Sequence, residues 1–225
     1  MPLQLVTAPT IEPVSVADFK THARVIDASE DELVKIYIGA ARQQAETILR
    51  RALISQQWKM VADRFPSPMA GKLSEYWIGQ QWGLAGQGGV SNFFPSDRTG
   101  YGIVIPINPV ITVDSVKYID TAGVQQTLSN SVYIVDNVSE PCRVMTGYGQ
   151  VWPSTQQRVN AVEVTFTAGY GSSGSNVPEA IRHWIMLRAA TLYENREEVA
   201  ILNRGKLEQL PFVDRLLDPY RVVTF

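Results

Sequence analysis

The sequence is short of the residues on which metal and redox chemistry depend. Its single cysteine, Cys142, excludes an internal disulfide, and its two histidines, His22 and His183, lie far apart with no CxxC pair to complete a zinc or iron-sulfur site of the usual kind. Neither a metal nor a cofactor is therefore expected. Charge is scarce too: Asp, Glu, Lys and Arg make up 19% of the chain, against roughly 25% in ordinary soluble domains. With a formal charge of -2, the chain has no global basic field to hold nucleic acid by counterion release. Residues Met1 to Val6 carry no positive n-region and no apolar stretch of signal-peptide length, so no targeting segment is expected. The longest uncharged run, Tyr76 to Ser96, is long enough for a membrane span, but glycine, glutamine, serine and asparagine interrupt it throughout and make it a loop.

What is present falls into the order helix, sheet, helix. After an extended lead marked by Pro9 and Pro13, Ser15 can cap a short helix to about Arg24, with Asp18 in its first turn. Ser29 and Glu32 have capping-box spacing, and Leu33, Ile36, Tyr37, Ala40, Gln44 and Ile48 recur at three and four, which predicts one long amphipathic helix over 30–51. Its small residues Gly39, Ala40, Ala41 and Ala45 allow another helix close approach. The period then changes to two. Short strands are predicted at 57–65, 103–105, 113–119, 124–128, 132–136, 143–146 and 162–167, with links too short for crossover helices, so the pairing should be antiparallel. Pro178 opens a second long helix expected to end near Asn203-Arg204-Gly205, with Ile181, Trp184, Ile185, Leu192 and Val199 as its apolar side. The tail 206–225 carries too much apolar surface for a free terminus and must dock somewhere.

One stretch differs in composition. Residues 67–102 hold eight of the sixteen glycines, interleaved with Tyr76, Trp77, Trp82, Phe93, Phe94 and Tyr101, and only four charges. A loop of that length inside a compact domain is usually functional, and aromatics are enriched where partners meet, so an arm reaching a partner is favoured over a hairpin folded on the sheet.

Candidate chemistry is thin. Gly169-Tyr170-Gly171-Ser172-Ser173-Gly174 matches GxGxxG between a strand and a helix, but no strand follows that helix to close a dinucleotide-binding unit; a strand-to-helix turn is the better reading. Ser172, Ser173 and Cys142 lie in no nucleophile-elbow sequence, and the cluster Glu194, Arg196, Glu197, Glu198 reads as a solvated helix face. The scatter of Trp58, Trp77, Trp82, Trp152 and Trp184 suits core and interface anchors better than a sugar platform. No enzyme is expected. The alternatives left open are an aromatic-loop binding module for a carbohydrate or protein ligand, using Trp77 and Trp82, and a nucleotide-binding enzyme built on 169–174.

A family pattern then covers nearly the whole chain. The opening LVTAPTIEPVSVADFKTHARV, the helix AARQQAETILRRALISQQW, the strand pair IPINPVITVDSVKYIDTAG, then VWP, NAVEVTFTAGYG, VPEAIRHWIMLRAATLYENRE and LLDPYR together resemble tailed-bacteriophage head-tail connectors, the head-completion adaptors. The resemblance implies an α+β fold: an antiparallel helical core with an inserted antiparallel β-domain and an extended C-terminal tail. On that scheme 1–56 forms the N-terminal helical part, 57–168 the β-domain with its loop 67–102, 169–204 the helix that completes the core, and 205–225 a docking tail. It further implies a ring of about twelve copies by family analogy, joining portal to tail in the virion after assembly in the host cytoplasm, without membrane contact. DNA would pass through its lumen without sequence-specific binding. Leu210, Phe212, Leu216, Leu217, Tyr220 and Arg221 would then face the portal protein, and Tyr76, Trp77, Trp82, Phe93 and Phe94 a downstream tail or tail-completion protein. The charge deficit fits a protein completed by neighbours, since 67–168 carries only twelve of the forty-two charges.

Overall fold

The computed structural model describes residues 3–66, 102–195 and 215–222. It is mixed α and β, and the chain divides into two compact units, Met1–Ala8 with Gln56–Ala168, and Pro9–Ser55 with Gly169–Phe225.

The first unit is built from two antiparallel sheets. Strands β1 (Leu3–Thr7), β2 (Gln56–Ala62), β4 (Val110–Ile119), β5 (Gln125–Thr127) and β8 (Val162–Ala168) form one, in the order β1-β2-β8-β4-β5. The alternation legible in β8 is the key to it: Val162, Val164, Phe166 and Ala168 are buried, and Glu163, Thr165 and Thr167 are less so. Register carries that alternation sideways, setting Met60, Val164 and Val116 in one fully buried row and Val61, Glu163 and Lys117 in a row on the opposite face. Asp120 makes the β4–β5 turn, its Oδ1 accepting from the backbone N–H of Ala122 and of Val124 at 2.9 Å each. Gly123 supplies the positive φ of 84° that the turn needs.

Strands β3 (Ile103–Ile105), β6 (Tyr133–Asp136) and β7 (Cys142–Thr146) form the second sheet, in the order β3-β7-β6. Ile103, Ile105, Cys142 and Val144 are fully buried on one face of it. On the other, Arg143 donates to Asp136 at 2.7 Å, and this guanidinium bond, with further bonds from Ser139, holds the Asp136 carboxyl down at about 2.

The expected strand 103–105 has the observed bounds, the other expected strands differ by at most three residues at an end, and β1 was not expected. The lead 3–7 was expected only to be extended; it pairs antiparallel with β2, Leu3 opposite Met60 and Thr7 opposite Gln57. Five uncharged residues before Pro9 give no turn and no partner to a local reading, so the pairing with a strand fifty residues on is not legible. These residues therefore group with the sheets and not with the N-terminal helices.

The second unit holds α1 (Val16–Ala23), α2 (Asp31–Leu49) and α3 (Glu179–Glu194). Ser15 caps α1 as expected, accepting from Asp18 N at 3.0 Å. The capping box expected at Ser29 does not form: Ser29 N and Oγ are both taken by the Asp27 carboxylate, at 2.9 and 2.8 Å, and Glu30 becomes the N-cap of α2. Pro178 is the N-cap of α3. That helix closes at Asn195, whose side chain donates to Thr191 O at 3.0 Å, ahead of the expected stop at Asn203-Arg204-Gly205, which lies outside the described residues. Phe19, Val34, Ile38, Ala41, Ala45, Leu49, Ile181, Trp184, Ile185 and Ala189 from the three helices share one buried cluster. Ala41 and Ala45 are fully buried, whereas Gly39 is half-buried and Ala40 exposed; the buried side of α2 runs through Val34, Ile38, Ala41, Ala45 and Leu49, and of the expected apolar side Ile36, Ala40 and Gln44 are exposed, because the helix packs on the neighbouring stripe.

Cys142 tests the burial of the second sheet. It is fully buried, and desolvation pushes its thiol from the ordinary 9.0 up to about 12. The folded state thus favours the neutral thiol, a contribution present below pH 9.0 and lost as pH rises toward 12. A thiol reagent at pH 8 is expected to leave the folded protein unmodified and to titrate one thiol per chain in denaturant; rapid native labelling would contradict this packing.

Candidate functional site

Among the described residues no three His, Cys, Asp or Glu side chains gather to hold a metal, and no helix is long and apolar enough to cross a membrane. His22 and His183 meet edge to face, ring centroids 6.0 Å apart. The glycines of 169–174 serve close packing instead of phosphate. At Gly169, φ is +141° and a Cβ would lie 2.6 Å from Ile54 C and Ser55 N; at Gly174 it would lie 2.7 Å from Pro13 O. Tyr170 N bonds Leu53 O at 3.2 Å and Ser55 N bonds Gly171 O at 2.9 Å, so this stretch is stitched to the end of α2.

The tryptophans that lie among the described residues are packing residues. Trp184 is 2% exposed in the helical cluster. Trp152 stacks on Phe65 at 4.8 Å with an interplanar angle of 6°, and Phe65 also meets Tyr118 edge to face. Trp58 lies in β2 opposite Phe166.

The polar centre of the helical unit was not foreseen. Arg42, 7% exposed, bonds Glu12 Oε2 through Nε at 2.8 Å and Glu46 Oε2 through Nη1 at 2.7 Å, while Glu46 Oε1 accepts from Leu53 N at 2.9 Å. The Arg42–Glu46 spacing of four is visible in the sequence as a helix-face pair. Nothing local announces that Glu12, thirty residues earlier, turns it into a buried network.

The end of α2 beside this network receives the C-terminal segment. Arg50 closes the helix in the left-handed region at φ 55°, where glycine is the usual residue, at a cost of about 1 kcal/mol. Leu217 is fully buried in the helical cluster, with Leu216 and Tyr220 packed against it. Val222 N donates to Leu49 O at 3.2 Å, and Arg51 Nε to Tyr220 O at 2.5 Å. Arg221 is exposed, 3.5 Å from Asp218. Of the residues assigned from sequence to a portal contact, Leu216, Leu217, Tyr220 and Arg221 thus lie together on the helical unit, and Leu217 faces its own core. Leu210 and Phe212 lie outside the described residues, as do Tyr76, Trp77, Trp82, Phe93 and Phe94.

Replacing Arg42 by alanine leaves two partly buried carboxylates without their cation. A loss of about 1.5–3 kcal/mol is expected for removing hydrogen bonds to charged groups there, read as a lower midpoint in urea. A change under 1 kcal/mol would show that water replaces the guanidinium there.

Comparison with known proteins adds what geometry alone does not. Residues 13–71 match the family model described as phage gp6-like head-tail connector protein. A chain of the virion of the native gene transfer agent (GTA) particle is similar over the whole length: 25% identity, TM-score 0.71, covering 100% of this chain and 97% of that one. Chains from the neck of the empty GTA particle computed with C6 symmetry and of the native GTA particle computed with C12 symmetry share the fold, each at 24% identity over the same coverage, with TM-scores of 0.71 and 0.68. No curated protein matches. The likeness to head-tail connectors read from the sequence therefore stands: residues 13–71 carry the phage gp6-like head-tail connector signature, and the whole chain has the fold of a neck protein of a phage-like particle.

Proposed function

We propose that the protein is a structural head-tail connector that assembles as a homo-oligomeric ring, joins a portal protein to the tail and continues the DNA channel. The observation that carries this reading is the connector match over α1, α2 and β2 together with full-length likeness to a chain of a virion. The C6 and C12 symmetries of the related necks support a closed ring, and about twelve copies by analogy. Its place is the head-tail junction of the virion, reached from the host cytoplasm where assembly occurs.

The division of labour follows the two units. Helices α1, α2 and α3 form the core of the connector, with every strand of the two sheets except β1 inserted between Ser55 and Gly169. The segment 205–225 meets the portal through Leu210, Phe212, Leu216, Tyr220 and Arg221, with Leu217 as the anchor that roots it. The segment 67–102, with Tyr76, Trp77, Trp82, Phe93 and Phe94, meets the downstream tail or tail-completion protein. The described part of the β unit supports a role among neighbours: Ile134, Val138, Tyr148, Val151 and Val159 are all more than 60% exposed. Scattered apolar side chains on a monomer are ordinary, but these lie in a unit already poor in charge. A mildly acidic ring suits passing DNA, because a basic lumen would hold phosphate. The role is mechanical, with no catalysis.

The test uses the full chain and a variant lacking 206–225, each mixed with purified portal and imaged by cryo-electron microscopy. The full chain is expected to add a ring at one end of the portal and the truncated chain to leave it bare with helices α1 to α3 still folded by circular dichroism. A ring formed equally well by the truncated chain refutes the portal assignment of the tail.

A further inference from the structure

The chain has two histidines, distant in sequence, and the fold sets them side by side. His22 lies in the last turn of α1 and His183 near the start of α3, and their rings meet edge to face with centroids 6.0 Å apart. Both residues are exposed, so their contact takes little surface from water and adds little to the core. Packing is a weak reason for the pairing. The backbone beneath the rings is nonetheless well fixed, because Phe19, one turn before His22, and Trp184, next to His183, are both sealed in the helical cluster.

We propose that His22 and His183 form a two-imidazole site for a divalent transition-metal ion of the zinc type. Imidazole nitrogen is a preferred ligand of such ions. With each ring nitrogen about 2 Å from the metal, two imidazoles on one ion have their centres about 5–6 Å apart. The observed 6.0 Å is close to that distance, and rotation about exposed side-chain bonds is all that brings one nitrogen of each ring to the ion. One turn before each histidine, on the same face of its helix, stands a carboxylate, Asp18 on α1 and Glu179 on α3. These do not complete a three-residue group, so the two imidazoles hold the ion, water fills the remaining positions, and the carboxylates supply negative charge nearby. The bound ion ties the end of α1 to the start of α3. It is a cross-link within the helical unit that needs no second cysteine.

The untagged full chain is titrated with Zn²⁺ alone near neutral pH and followed by calorimetry, thermal unfolding and the histidine ring signals in nuclear magnetic resonance. One ion per chain is expected to bind at micromolar concentration, to shift both sets of ring signals together, and to raise the unfolding midpoint by about 5 °C at hundredfold excess over its dissociation constant. Mg²⁺, which takes oxygen ligands, is expected to do none of this. His22→Ala and His183→Ala, each at an exposed position, are expected to weaken Zn²⁺ binding by about tenfold or more, and the double variant by no more than either, because a ligand pair acts as a unit. Binding that survives both single substitutions overturns the proposal, since the ion then sits elsewhere. Absence of binding at about 1 mM Zn²⁺, or one ion shared between two chains, overturns it equally. If a variant does not fold, the wild-type ring signals decide: movement of one histidine or of neither is fatal.

Discussion

Glu46 is the residue on which the helical unit turns. One carboxylate oxygen holds Arg42 and the other holds the backbone of Leu53. The first bond completes a buried ion network with Glu12, and the second shapes the chain as it leaves α2. Burying a guanidinium is costly unless every donor it turns inward is met. Two carboxylates from separate segments meet it here, so the N-terminal lead, the middle of α2 and the turn after it are held to one arrangement. That arrangement places Leu53 O and Ser55 N where Tyr170 and Gly171 bond them, and it leaves the end of α2 open to Tyr220 and Val222. Stretches around Glu12, 42–55, 170–171 and 220–222 thus meet in one place.

The convergence gives the glycines at 169–174 a packing role. Two strands of chain pass within 3 Å of where side chains would stand at Gly169 and Gly174. The neighbours are backbone atoms of the same unit, which cannot yield as a flexible side chain would. Glycine is required by backbone crowding at Gly169 and Gly174, while at Gly171 the neighbour is the Asn176 side chain.

Much of the molecule was legible because it obeys local rules. The alternation of Val162 to Ala168, the turn at Asp120 to Gly123 and the Ser15 cap all state their structure within a few residues. What escaped was non-local or chosen among near-equals. β1 is uncharged and short, and only its pairing with β2 makes it a strand. Ser29 had two possible partners, and Asp27 claimed it before Glu32 could. The end of α2 bears Arg50 in the left-handed region where a glycine would have marked it. For the site, sequence placed an apolar tail that had to dock, and the docking of Leu217 on the chain's own helices came from the structure.

The strand order has a consequence in time. β8 lies at the centre of the larger sheet, between β2 and β4, yet it is the last strand among the described residues. During synthesis β2 and β4 emerge with the edges that β8 will pair still open and wait for residues 162–168 to join them. Ladders that span such separations form slowly, and unpaired edges invite association with other chains meanwhile. The nascent protein therefore carries a sheet that cannot close until Ala168 has left the ribosome.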